Sequence, residues 1–156
     1  MAFYQSKELT ERRPALNPRS ASEVVSVRAE FDLSAVLALN DLIEMAILPA
    51  NCVPVDFVLD CDDISTAADV TLDVGVMAGT VGDTTPGNRT TGAEVFAAST
   101  VGQAGGLVRP TLKTATRIAP ATVDRAIGIK VAAAATATAT GKIGLTMFYR
   151  SARYGG

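Results

Sequence analysis

Short segments in which apolar and polar residues alternate constrain the fold of this chain more than any other feature of its sequence. From residue 25 the odd positions are apolar and the even positions are polar, as in the run Val25-Ser26-Val27-Arg28-Ala29-Glu30-Phe31-Asp32-Leu33. Because successive side chains of a strand point to opposite faces, this period of two predicts a half-buried β-strand over residues 24–33. The pattern returns over residues 53–59, 70–76, 127–131 and 143–149.

The rest of the chain extends this all-β pattern. Further strands are expected over Asp41–Ile47, Val53–Cys61, Asp69–Met77 and Leu107–Ile118, and a hairpin over Val123–Ala133 and Lys142–Arg150. Inside the long stretch 79–106, Thr91 and Glu94 have the spacing of a capping box, which predicts one short helix near residues 92–100. We therefore expect an antiparallel β-sandwich, jelly-roll-like, with about seven or eight strands and at most that one helix.

The first 22 residues differ from the rest in having little periodicity. They contain Pro14 and Pro18, and proline fixes φ and lacks an N–H donor, so regular structure is not expected there. The prediction is an extended N-terminal arm over residues 1–22 and a β-sandwich domain over residues 23–156. The candidate partner-binding residues of the arm are Tyr4, Lys7, Arg12, Arg13 and Arg19. A frayed terminus is the alternative interpretation.

Composition argues against most kinds of catalysis. The chain has no histidine, which removes the Ser-His-Asp and Cys-His nucleophile systems and the commonest zinc ligand. The sequence contains neither a GxxxxGK[ST] phosphate loop nor a GxGxxG motif. We therefore expect a protein that is not an enzyme, with no catalytic residue, no cofactor and no metal.

A cluster of aspartates is the strongest candidate for any chemistry. Asp60, Asp62 and Asp63 lie at one predicted strand end, and Asp69 and Asp73 follow on the next strand. A pair of carboxylates could serve a hydrolase and several could hold Ca²⁺, although the spacing does not match an EF-hand loop. Solvated aspartates that protect a sheet edge are the commoner use, and the hydrolase and the cation site stay open as alternatives.

The charge balance indicates a surface that other subunits cover. Charged residues make up 19% of the chain and the formal net charge is -2, so nothing attracts nucleic acid or an anionic membrane. The N-terminus lacks the apolar region of a secretory signal, and no apolar run is long enough to span a bilayer. Cys52 and Cys61 would lie on the order of 30 Å apart along one strand, so both are expected as reduced thiols.

Three stretches of the sequence resemble a known family. Residues 39–50 read LNDLIEMAILPA, residues 53–63 read VPVDFVLDCDD, and residues 70–77 read VTLDVGVM. Together they resemble segments of virion structural proteins of tailed bacteriophages, of the type that decorates, or cements, the head. The resemblance covers about residues 24–78, and Asn51 stands where that family often has glycine after LPA.

The resemblance implies a β-sandwich that binds the outer surface of the head shell and stabilises the lattice. The implied partners are the major capsid protein and further copies of this chain, as a homodimer or homotrimer, with no nucleic acid and no membrane. The expected location is the head exterior of the virion, after assembly in the host cytoplasm. The alternative is another phage structural subunit, from the tail, baseplate or fibre.

Overall fold

A computed structural model describes residues 1–11, 15–18, 23–136 and 140–152. Over these ranges the chain forms nine strands and one short α-helix. In chain order they are β1 (Phe3–Gln5), α1 (Lys7–Thr10), β2 (Val24–Asp32), β3 (Leu42–Leu48), β4 (Cys52–Cys61), β5 (Thr71–Val76), β6 (Phe96–Ser99), β7 (Gly106–Val108), β8 (Arg125–Ala133) and β9 (Lys142–Ser151). Single 3-10 turns occur at Pro86–Asn88, Val101–Gln103 and Lys113–Thr116.

The strands form two sheets that pack face to face. Sheet A has the order β1-β3-β8-β5-β6, and sheet B has the order β2-β9-β4-β7. Neighbouring strands run antiparallel except for β1 and β3, which are parallel. The prediction of an all-β, antiparallel sandwich is confirmed.

The core lies between the sheets and is built by the alternation seen in the sequence. In β9 the side chains of Leu145, Met147 and Tyr149 are fully buried, and in β4 Phe57 and Leu59 are as well. They meet Ile127, Ile129 and Val131 of β8, and Leu72 and Val74 of β5, from the opposite sheet. Burying a large apolar side chain of this kind stabilises a fold by about 1.5–3 kcal/mol.

The predicted hairpin of residues 123–133 and 142–150 is wrong. Both segments are strands, but β8 pairs with β3 and β5 in sheet A, whereas β9 pairs with β2 and β4 in sheet B. The intervening residues therefore connect the two sheets. Both edges of each strand are taken by other partners, which the local pattern of the sequence does not encode.

The helix predicted near residues 92–100 is replaced by a strand. Residues 96–99 form β6 against β5, followed by a 3-10 turn. The carboxylate of Glu94 accepts a hydrogen bond from the backbone N–H of Val76 at 3.1 Å, a contact 18 residues away in sequence. The pairing of β6 with β5 and the burial of Val95 and Phe96 outweigh the capping-box preference for a helix. The weak strand expected over residues 107–118 shortens to β7, before Pro110.

The N-terminal residues have more regular structure than expected. β1 pairs with β3, so that Phe3 lies opposite Leu42 and Gln5 opposite Glu44, and α1 follows directly. The two prolines that argued against regular structure come after this segment in the sequence. The division into an arm over residues 1–22 and a domain over residues 23–156 stays a prediction.

Candidate docking face

The outer faces of the two sheets differ in what covers them. Residues 77–95, here called the strap, run across the outer face of sheet A. Leu42, Met77 and Ala126 form a second buried cluster there, with Phe3 and Val81 packed against it. The sheet makes room with glycine, because a Cβ on Gly128 would overlap the side chain of Met77.

A buried ion pair fixes the strap to sheet A. Arg89 Nη2 donates to Glu44 Oε1 at 2.7 Å, and the side chains of both residues are fully buried. The same carboxylate accepts from the side-chain amide of Gln5 at 2.8 Å and from the backbone N–H of Gly82 at 3.1 Å. A charge that leaves water needs such a set of partners, because its desolvation is costly.

Sheet B carries no comparable covering among the described residues. Register places Ser26, Phe148 and Asp56 in one row across three strands, and Arg28, Thr146 and Val58 in the next row. Phe148 and Val58 are half-buried, while their chain neighbours Met147, Tyr149, Phe57 and Leu59 are fully buried. Val24, at the end of the outer strand β2, is 50% exposed. This half of the face therefore presents apolar side chains to solvent between polar ones, and its Asp56 is paired with Arg109.

The other half of the face is charged, and its charges are paired. Arg28 donates to both carboxylate oxygens of Asp60, at 2.6 and 2.9 Å, across the intervening strand β9. It passes over Gly144, where a Cβ would lie 2.6 Å from Arg28 Nη2 and from each Asp60 carboxylate oxygen. Lys142 Nζ lies 3.2 Å from Glu30, which also pairs with Arg28.

Ion pairs on this face shift the pKa values of Glu30, Asp32 and Lys7 in the direction that favours charge. A hydrogen bond from Lys142 and a second one from Arg28 hold the pKa of Glu30 below its ordinary value. A hydrogen bond from Lys7 lowers the pKa of Asp32 in the same way, and Asp32 raises the pKa of Lys7. The charged half is thus internally neutralised at neutral pH, and a partner can cover it without supplying opposite charges.

The predicted arm residues fall into two groups. Tyr4 contacts Phe31 of its own chain, with ring centroids 5.4 Å apart, and Lys7 pairs with Asp32 at 2.6 Å. Arg12, Arg13 and Arg19 lie outside the described residues. Tyr4 and Lys7 therefore make contacts within the chain, and a role of the five residues in binding a partner stays a prediction.

The aspartates of residues 60–73 each serve the fold. Asp62 accepts from the backbone N–H of Lys142 at 2.8 Å, and Asp63 from that of Ser65 at 3.3 Å. Asp69 accepts from the hydroxyls of Ser65 and Thr136, and Asp73 accepts from the N–H of Ala98 at 2.8 Å. Within the described ranges no group of three or more carboxylates, cysteines or histidines is placed to hold a metal ion.

The two cysteines are buried and unpaired with each other. Burial raises the pKa of the Cys61 thiol to about 12, with smaller contributions from Asp62, Asp60 and Asp63. Burial also raises the pKa of Cys52. A thiol is nucleophilic only as the thiolate, so these two side chains act as small apolar residues of the core.

Sequence reasoning missed the Glu44–Arg89 pair. One signal was present: Glu44 is the single charged residue of the run LIEMAIL, and a charge inside an apolar strand needs a buried partner. Nothing local identifies that partner, because Arg89 is 45 residues away within a stretch of glycine, threonine and asparagine.

The described part of the chain contains no helix with the length and hydropathy of a membrane span.

Comparisons with known proteins agree with this architecture. No protein-family model and no curated protein matches the chain. A chain from the capsid of Ralstonia phage GP4 is 45% identical, with a TM-score of 0.90, and the match covers 96% of this chain and 98% of that one. A chain from the capsid asymmetric unit of cyanophage Pam1 is 22% identical (TM-score 0.60, 88% and 91% covered). A chain from the acid-stable capsid of Helicobacter pylori bacteriophage KHP30 is 17% identical (TM-score 0.53, 85% and 91% covered). The last two likenesses concern the fold alone.

Proposed function

We propose that this chain, which belongs to a family of phage virion structural proteins, is a decoration (cement) protein that binds the outer surface of the head shell. Its partner in this proposal is the major capsid protein, and its location is the head exterior. The single observation that carries the proposal is the outer face of sheet B, which no described segment covers and where partly exposed apolar side chains lie beside ion pairs that neutralise one another. The match to a chain of a phage capsid supports the head over the tail, baseplate or fibre.

The proposed activity is thermodynamic. A protein that binds the assembled shell and not its separated subunits stabilises the shell by RT ln(1 + [L]/Kd) at each site, about 2.7 kcal/mol when its free concentration is 100 times Kd. Because a lattice repeats the site many times, weak individual contacts add up. Further copies of the chain, as a homodimer or homotrimer, would increase this effect by joining sites.

The outer face of sheet B suits a shell surface because covering it buries apolar area and leaves the Arg28–Asp60 charges paired. Phe148, Val58 and Val24 gain about 25 cal/mol for each Å² of apolar area that a partner covers. Arg28 and Asp60 keep each other as partners, so covering them leaves no lone charge in the interface. Aromatic and arginine side chains are also enriched in protein interfaces.

Reconstitution on phage heads tests the proposal directly. Heads that lack this chain are mixed with the purified protein, sedimented, and heated in parallel with undecorated heads. We expect saturable co-sedimentation and a higher disruption temperature of the shell. Equal disruption temperatures with and without saturating protein, or copies found only on tails by electron microscopy, would contradict the proposal.

A matched pair of substitutions tests the face. Val24→Asp places a charge on the apolar half, where the native valine is 50% exposed, and Val36→Asp does so in a loop, where the native valine is 43% exposed. Both should leave the isolated protein folded, as measured by its thermal unfolding. We expect Val24→Asp to weaken head binding at least tenfold and Val36→Asp to leave it unchanged. Equal binding by both variants would exclude this face.

A further inference from the structure

The N-terminal segment (residues 1–10) and the strap meet at one carboxylate. Oε2 of Glu44 accepts from Gln5 in β1, and Oε1 accepts from Arg89 and Gly82 in the strap. The backbone carbonyl of Glu44 also accepts from the N–H of Ser6 at 2.8 Å. Two segments that are far apart in sequence therefore share one acceptor on β3.

The cation of the pair has the same double attachment. The guanidinium of Arg89 lies over the ring of Phe3, with Cζ 5.4 Å from the ring centroid, a distance typical of a cation–π contact. It also donates to the backbone carbonyls of Thr80 and Asp83, so these hydrogen bonds connect different parts of the strap. Arg89 thus connects the strap to β1 and to β3 at once.

We propose that the Glu44–Arg89 pair is a latch, which makes the N-terminal segment and the strap undock from the rest of sheet A as one cooperative unit. If the strap left alone, Glu44 would lose its cation and the N–H of Gly82 while Gln5 and Ser6 still bound it. If the N-terminal segment left alone, the pair would lose Gln5 and Phe3 and would be opened to water. Each partial release removes contacts that hold the other segment, so release of both segments together is favoured over release of either alone.

A second feature makes this release feasible. In the described part of the chain, Nε of Arg89 and Oγ1 of Thr91 are buried and have no hydrogen-bond partner. Each pays a desolvation cost in the docked state that water would remove on release. Undocking would also uncover Leu42 and Ala126, which are buried beneath the strap and the N-terminal segment. The sandwich would then have a second open outer face, on sheet A. The inference does not depend on whether this chain binds the head shell.

Amide hydrogen exchange on the full chain tests the coupling. Phe3→Leu removes the ring under Arg89 while keeping an apolar side chain. The reporters lie at the far end of the strap, where the N–H of Gly92 donates to Val76 O at 3.2 Å and that of Val95 to Val74 O at 2.9 Å. We expect both amides to exchange at least tenfold faster in Phe3→Leu, and Phe148→Leu, on the outer face of sheet B, to leave them unchanged.

The reciprocal experiment starts from the other end. Glu94→Ala removes the carboxylate that accepts a hydrogen bond from the N–H of Val76. The reporters are the N–H of Ser6, which donates to Glu44 O at 2.8 Å, and the N–H of Leu42, which donates to Ala2 O at 2.9 Å. Faster exchange at both reporters, by a factor similar to that at Gly92, supports the latch. Acceleration confined to the mutated segment in either experiment overturns it. If Glu94→Ala fails to fold, Phe3→Leu decides alone.

Discussion

The outer faces of the two sheets hold their charged residues in opposite ways, one buried and the other exposed. Both belong to one sandwich, and each carries a pair of opposite charges. Sheet A covers its face with the strap and pairs Glu44 with Arg89 in the dry interior, where both side chains are fully buried. Sheet B leaves its face open and pairs Arg28 with Asp60 in contact with solvent, where their side chains are 44% and 28% exposed.

The contrast separates residues that hold the fold together from residues that are free to bind. A buried pair is strongly coupled to stability, because removal of one member strands the other. An exposed pair contributes about 0–1 kcal/mol. Substitutions on sheet B can therefore change binding while the fold persists, which is the property needed to map a docking surface.

The largest effect is expected at the buried pair. Arg89→Met should lower the free energy of unfolding by about 3–5 kcal/mol, because it leaves the carboxylate of Glu44 buried without a cation. Urea denaturation measures this loss. Adding Glu44→Leu to Arg89→Met should restore part of the stability, and a double variant that is less stable than Arg89→Met would show that the charges do not depend on each other. The counterpart on sheet B, Asp60→Asn, should cost less than about 1 kcal/mol.

Truncation of one apolar residue on each face gives the next largest difference. Leu42 is 1% exposed beneath the strap, and Leu42→Ala should cost about 2–5 kcal/mol by loss of apolar burial and creation of a cavity. Val58→Ala on the open face of sheet B should cost about 0.5 kcal/mol or less, as surface changes usually do. Thermal unfolding compares the two. Similar losses would mean that sheet B is already covered in the isolated protein.

One glycine beneath the strap and one beneath the exposed ion pair of sheet B predict a smaller difference. A Cβ on Gly75 would lie 2.6 Å from the backbone C and O atoms of Gly92 in the strap, so Gly75→Ala should cost about 1–3 kcal/mol by overpacking. At Gly144 the obstructing atoms are the ends of the exposed Arg28 and Asp60 side chains. These can turn aside, so Gly144→Ala should cost about 1 kcal/mol or less. Chemical denaturation of both variants checks the order.

Acid should weaken the exposed ion pairs of sheet B, and the resulting loss of stability should be the smallest of these effects. The pKa of Glu30 is held down mainly by Lys142 and that of Asp32 by Lys7. A lowered pKa stabilises the fold above the ordinary carboxyl pKa of about 4, and this stabilisation is lost as pH falls through the depressed value. Carboxyl ¹³C titration should give both midpoints below the ordinary values.

Salt provides the control for this titration. At about 1 M ionic strength the Debye length falls to about 3 Å, so the midpoints of Glu30 and Asp32 should move toward their ordinary values. Asp32→Asn should remove its own share of the acid sensitivity when the free energy of unfolding is followed against pH. Midpoints that do not respond to salt would mean that these carboxylates are shielded, and that sheet B is less open than its exposure indicates.

Local sequence determined the strands but not their neighbours. The alternation over residues 24–33, 53–61 and 143–149 needed no tertiary information, because the pleat fixes a period of two wherever one face is buried. The local sequence also supported the all-β class and the likeness to phage virion proteins. It could not tell that β8 and β9 lie in different sheets, because strand pairing is a long-range choice made by competition among all edges.

The tertiary structure decided which faces are covered and which are open. Thr91 and Glu94 carry a helix signal worth about a kilocalorie, and burial of Val95 and Phe96 in the core between the sheets outweighs it. Glu44 and Arg89 meet only because the strap folds back over β3, which brings together residues that are 45 positions apart. A local pattern records which residues avoid water, whereas the position of a covering segment depends on contacts that form only after the sheets have assembled.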